Sequence, residues 1–121
     1  NNTYYPIVLD LMKELNKSNI SKFKYMEFTL VNTPKNFTFP IHFDSKLKLI
    51  SIVIYISPEK NIGTWLYDNK EGENPRQIEW KQNRAFIFCR SDNSWHNYKS
   101  DNISNRVALL INCYEKCNYD K

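Results

Sequence analysis

Long apolar runs, a block of basic charge and a disulfide framework are all missing from this 121-residue sequence. Without an apolar stretch near the ~20 residues that cross a bilayer, no transmembrane helix is expected. The N-terminus also lacks the charged-then-apolar pattern of a signal peptide. It opens on Asn1 rather than Met, which reads as the trimmed or processed piece of a longer chain. The net charge of +4 is modest, and Lys and Arg are dispersed, so charge does not point to nucleic acid. There are three cysteines, Cys89, Cys113 and Cys117. An odd number at irregular spacing makes no disulfide framework and points to a reducing compartment. Cys89 and Cys113 fall inside apolar patterns, where Cys behaves as a small hydrophobe. Sequons such as those at Asn36 and Asn102 arise by chance in so Asn-rich a chain and do not argue for secretion. There is no internal repeat, heptad or low-complexity tract.

What is present fits one folded unit. The length matches a single domain over residues 1–121, and 41% hydrophobic and 15% aromatic residues exclude disorder as the default. Over residues 5–16, Pro6 followed by Ile7, Leu9, Leu11, Met12 and Leu15 predicts an amphipathic helix bracing one face of a sheet. A polar loop is expected over 16–22. From Phe23 onward the apolar period changes to two, the mark of a β region. Phe23, Tyr25, Phe28 and Leu30 begin it, and Phe37, Phe39 and Ile41 alternate into His42. Residues 47–56 form the longest β-rich run and should be a central strand covered on both faces. Ser57-Pro58 ends it, since Pro cannot donate to a ladder. Shorter strands are expected near Trp65, over 77–80, 84–90 and 95–98, and over 106–114. About eight strands with one leading helix is the pattern of a mainly β jelly-roll barrel.

The residues that suggest chemistry are His42, Asp44, His96 and Arg106. The chain has two histidines, His42 and His96. His42 and Asp44 lie two apart on an extended segment, so their side chains leave the same face, a geometry suited to two ligands of one metal. His96 stands on a predicted strand much later. Two imidazoles and one carboxylate with open positions are the facial triad of non-haem Fe(II) oxygenases. Arg106 heads the last apolar run, where a buried guanidinium could grip a carboxylate through two parallel hydrogen bonds. Each piece alone is weak, since an isolated His-x-Asp is common and a lone Arg before a strand is usually solvated. Their order along one set of strands is what gives them weight.

With these residues in view the chain resembles the Fe(II)- and 2-oxoglutarate-dependent oxygenases, and within them the prolyl-4-hydroxylase-like branch of small bacterial and phage proteins. The resemblance covers residues 37–114. It rests on His42-Phe43-Asp44, Ile54-Tyr55-Ile56-Ser57, Gly63-Thr64-Trp65-Leu66-Tyr67, Asn83-Arg84-Ala85-Phe86-Ile87-Phe88, and the Phe88-Cys89-Arg90-x-Asp92-x-Ser94-Trp95-His96 segment followed by Arg106. It implies a double-stranded β-helix, a cupin-like barrel, with an N-terminal helix. It also implies that His42, Asp44 and His96 hold Fe(II), that Arg106 pairs with the distal carboxylate of 2-oxoglutarate, and that the Tyr55 hydroxyl bonds the same carboxylate. Tyr55 reads equally well as a core aromatic. The implied activity is hydroxylation of an organic substrate by O₂, with succinate and CO₂ released and ascorbate as a possible auxiliary reductant. A peptide side chain, a sugar or another small molecule would serve as substrate.

The chain departs from that family in being short, with little helix ahead of the barrel, and in having Ile62 where many relatives carry a second glycine before Gly63. Trp65, Trp80 and Trp95 are expected in the core or at its rim, and Glu71, Glu73 and Arg76 in a solvated loop. Arg90 could face pocket or solvent. One alternative is a non-catalytic metal-binding β-barrel module that has kept the triad. A hydrolytic zinc site ranks last, because no Glu general base accompanies a metal-binding helix. Unpaired strand edges leave a homodimer open. The odd cysteines and the implied Fe(II) point to the cytoplasm.

Overall fold

A computed structural model of the chain describes residues 5–15 and 21–115. Cys117 and most of the loop expected over 16–22 lie outside them. Helix α1 spans Tyr5–Leu15, and seven strands follow: β1 Tyr25–Thr33, β2 Lys48–Ser57, β3 Trp65–Tyr67, β4 Arg76–Gln77, β5 Ala85–Cys89, β6 Trp95–Asn97 and β7 Arg106–Tyr114. They form two antiparallel sheets, one in the order β1-β7-β2-β5 and one in the order β4-β3-β6. The described chain is thus mainly β, and its single helix is minor. That helix is too short to cross a membrane.

Period-two patterning decides how the larger sheet is used. Ile52 pairs with Ile111 on one side and Ile87 on the other, and Ile50 with Cys113 and Cys89. These side chains share a face. With Phe23 and Leu49 they make the hydrophobic core, against which Leu9 and Leu11 of α1 pack. Burial of a side chain such as Ile50, which is fully enclosed, contributes about 2 kcal/mol. Cys113 sits in the same core, and burial pushes its thiol up to about 12. It therefore packs as a hydrophobe and not as a nucleophile. β2 is interior to the sheet and covered on both faces, as its sequence predicts, with Ser51 and Tyr55 buried on the face opposite the core.

Two expected strands are cut short, each for a physical reason. The segment over 37–42 makes only two isolated bridges, Thr38 with Lys99 and His42 with His96. Pro40 lies between them and has no N–H to extend the pairing. Residues 77–80 shrink to the last position of β4, because Ile78 turns to bond Thr64 and Trp80 Nε1 donates to the Pro58 carbonyl at 2.8 Å. Gly63 lies under this turn. A Cβ there would come within 1.7 Å of the Ile78 carbonyl oxygen.

Candidate functional site

The face of the larger sheet opposite the core is the floor of a cavity of about 100 Å³. Val31, Ser51, Val53, Phe88, Ala108, Leu110 and Asn112 form that floor, and His42, Asp44, Lys48, Thr64, His96, Tyr98 and Arg106 complete the lining. The space suits a few waters or one small organic acid. Of the residues singled out from the sequence, His42, Asp44, His96 and Arg106 all reach it, and Tyr55 does not line it.

His42 and His96 are brought together by a reciprocal pair of backbone hydrogen bonds, His42 N–H to His96 O at 3.0 Å and His96 N–H to His42 O at 2.9 Å. The segment before His42 is pinned by buried Asn97, which donates to Phe39 O at 3.0 Å and accepts from the Tyr67 hydroxyl at 2.9 Å. Two residues further on, Asp44 is tied by its carbonyl to Arg90, whose Nε lies 2.9 Å away. That settles which way Arg90 faces. Its guanidinium stacks over Phe43 and pairs with Asp92, while Phe43 packs edge-on against Trp95. Phe43 thus points away from the cavity while its two neighbours point in.

The side chains converge. One ligand atom from each of His42, Asp44 and His96 lies within 4.8 Å of the others, a spacing that could hold a metal ion. Asp44 Oδ1 is 3.5 Å from His42 Nε2 and 3.8 Å from His96 Nε2. Each ring is oriented from behind: His42 Nδ1 is 2.9 Å from the Pro40 carbonyl and His96 Nδ1 is 2.7 Å from that of Ser94. A carbonyl can only accept, so Nδ1 carries the proton in both, and the neutral ring offers its Nε2 lone pair to the centre. Phe39 packs on His42 and Phe88 on His96, which limits ring rotation.

The charges there are unequal. The hydrogen bond with Asp44 raises the affinity of His42 for a proton. Burial lowers that of His96, which favours its neutral form. Burial also opposes ionisation of Asp44, but the His42 hydrogen bond and the charges of Lys48 and His96 outweigh it and hold the carboxyl at about 2. Asp44 is therefore an anion at neutral pH, available to a cation.

Arg106 is 3% exposed, and burial lowers its proton affinity without discharging it. Its guanidinium lies 5.4, 5.0 and 5.2 Å from the ring centres of Tyr55, Trp80 and Tyr98. Nε donates to Ile62 O at 3.0 Å, whereas Nη2 is buried with no hydrogen-bond partner. An unpaired buried donor on a cation is costly, and an acceptor that reached it would relieve that cost. Tyr55 lies beneath the arginine with its hydroxyl engaged on Thr64, accepting from Thr64 N at 2.9 Å and donating to Oγ1 at 3.0 Å. Thr64, which carries no chemical mark in the sequence, is one of the hydroxyl residues that line the cavity. Lys48 and Ser51 are likewise unmarked in the sequence and line the same cavity. They lie at Asp44, with Lys48 Nζ and Ser51 Oγ 3.5 and 3.4 Å from Oδ2.

No family model matches the sequence, and no curated protein is similar to it at significance. Among solved structures the chain is similar to a prolyl-4-hydroxylase from Pseudomonas putida, with a TM-score of 0.66 and 14% identity, over 95% of this chain and 66% of that one. A weaker likeness, at a TM-score of 0.49 and 15% identity, is to a cupin domain from Bordetella pertussis Tohama I, over 74% of this chain and 82% of that one. This chain spans just under two thirds of the length of the prolyl-4-hydroxylase. At such identity the likeness is one of fold.

Proposed function

We propose that the chain is an Fe(II)- and 2-oxoglutarate-dependent dioxygenase on a double-stranded β-helix, hydroxylating a peptide side chain, a sugar or another small molecule. The carrying observation is one cavity lined both by two imidazole Nε2 atoms with a carboxylate oxygen and by a buried arginine whose Nη2 has no partner. The donor set suits the metal: two neutral imidazoles and one carboxylate are a facial triad that leaves adjacent positions open. Fe(II) held there with 2-oxoglutarate and O₂ would supply an oxidative decarboxylation, to succinate and CO₂, coupled to substrate hydroxylation.

The chain's own residues position and protect that chemistry. His42, Asp44 and His96 would hold the iron through the two Nε2 lone pairs and a carboxylate oxygen. Arg106 would take the distal carboxylate of 2-oxoglutarate through Nη2, its charge strengthened by the surrounding aromatic rings, which exclude water. Tyr55 supports this end from below. With its own proton given to Thr64 Oγ1, it leaves the Thr64 hydroxyl hydrogen free to meet the same carboxylate. Val53, Phe88 and Leu110 keep the middle of the cavity apolar.

The test is calorimetric binding of 2-oxoglutarate to the anaerobic Fe(II)-loaded protein, with Arg106→Ala beside it. The wild type should bind in a metal-dependent manner, and the variant should lose about 3 kcal/mol, roughly two orders of magnitude in affinity. Iron uptake without 2-oxoglutarate binding would replace this reading with a non-catalytic metal-binding module.

A further inference from the structure

Strand alternation alone would aim Lys48 away from the cavity. On β2 the even residues Ile50, Ile52 and Ile54 face the hydrophobic core, while Ser51 and Val53 face the cavity. Lys48 is also even. The ladder, however, pairs Lys48 with Tyr114 and Ile50 with Cys113, so two steps along β2 match a single step along β7. The extra residue is Leu49, and both it and Ile50 enter the core. This bulge turns Lys48 to the cavity side, the kind of re-aiming that bulges serve beside functional sites. There the side chain is 16% exposed and its Nζ lies 3.5 Å from Asp44 Oδ2.

The next cavity-facing residue of β2 serves the same atom, because Ser51 Oγ donates to Asp44 Oδ2 at 3.4 Å. The other oxygen is treated differently. Oδ1 faces His42 Nε2 at 3.5 Å and His96 Nε2 at 3.8 Å. One carboxylate therefore has one oxygen turned to an ammonium and a hydroxyl and the other turned to the two imidazoles.

We infer that Lys48 and Ser51 are positioning residues that clamp Asp44 Oδ2, so that Asp44 meets a divalent cation through Oδ1 alone. The inference rests on the metal-site reading above. Its consequence is a count of open positions on the ion. An octahedral ion has about six positions, and two imidazoles with one carboxylate oxygen leave about three of them. A carboxylate free to turn and bind through both oxygens would leave about two, which a chelating 2-oxo acid fills by itself. The clamp thus keeps a place for a further ligand. A lysine suits this task because its ammonium attracts the carboxylate oxygen as an ion pair, which a hydroxyl does not.

Mn(II) is the probe, since water bound to it accelerates the relaxation of bulk water protons in proportion to the number of bound waters. The comparison needs no turnover. Per bound ion, relaxivity should fall by roughly a third in Lys48→Met, as about three waters become two, and return to the wild-type value in Lys48→Arg. Should Lys48→Met fail to fold, as judged by circular dichroism, Ser51→Ala supplies the same comparison with a smaller expected fall. Unchanged relaxivity in the folded variants that bind Mn(II) would overturn the clamp and leave the metal site standing. A wild type that takes up no Mn(II) would overturn the metal site, and the clamp with it.

Discussion

Among the described residues Asp44 is the one carboxylate lining the cavity, and pH reads it directly. Its carboxyl is held at about 2 in the folded protein, against an ordinary value of 3.8. A carboxyl depressed on folding contributes stability that is full above its unfolded pKa and is lost as pH falls through the folded one. The window is therefore about 3.8 down to about 2. In that window the wild type should lose on the order of 2 kcal/mol from this group. Asp44→Asn should show a flatter acid limb in urea titrations carried out at successive pH values. Equal acid limbs would mean that Asp44 is not ionised against its neighbours. His96 is depressed too, so its neutral form is the one favoured by folding, and protonation works against it as pH falls below its ordinary value of 6.5. The residue types and their order along the chain made His42, Asp44, His96 and Arg106 visible in the sequence. Lys48, Ser51 and Thr64 carry no such mark, since a lysine and two hydroxyl residues in strands read as ordinary surface or packing positions.

Among the elements, the segments before β3 and after β4 meet backbone to backbone at Gly63. The Ile78 amide donates to Thr64 O at 2.8 Å, and Gly63 lets the Ile78 carbonyl approach where any side chain would stand. Gly63→Ala should therefore destabilise the fold by about 2 kcal/mol or more, because the obstacle is backbone and cannot rotate away. Chemical denaturation would show it as a lower midpoint with an unchanged slope. The variant should also weaken 2-oxo acid binding, since the neighbouring Ile62 carbonyl holds Arg106 Nε. A neutral effect on stability would mean that the two segments separate at little cost. At this scale the period-two pattern is a sound guide for β2 and β7, whose alternate residues fill the core, whereas Phe28 and Leu30 of β1 stay exposed. It overreached at 37–42 and 77–80, where Pro40 and the turn at Ile78 outweigh apolar alternation.

For the whole molecule, metal binding should couple to stability, because the three candidate ligands come from two distant parts of the chain joined only by folding. A divalent ion that binds the folded state at a hundredfold excess over its Kd adds about 2.7 kcal/mol. Fe(II) or Mn(II) should then raise the unfolding temperature by roughly 10 °C, and a chelator should reverse the rise. Asp44→Ala should keep the fold and lose the shift, as its side chain belongs to the site and not to the hydrophobic core. An ion-dependent shift that survives in Asp44→Ala would place the metal elsewhere.

The sequence by itself determined the class of the fold and the residues worth watching. Apolar periods select helix or strand locally, and chemistry-bearing side chains in a chain with only two histidines are few enough to single out. What it could not decide was geometry that depends on partners far along the chain. The bulge at Leu49 that turns Lys48 inward exists only in the register between β2 and β7, and the direction of Arg90 only in the approach of Asp44. The pairing of the Tyr55 hydroxyl with Thr64 likewise belongs to the meeting of β2 with the segment before β3. Local patterning specifies which face a residue prefers. Which atom it then meets is set by strand register and by the packing of one sheet against the other, and only the tertiary structure holds both.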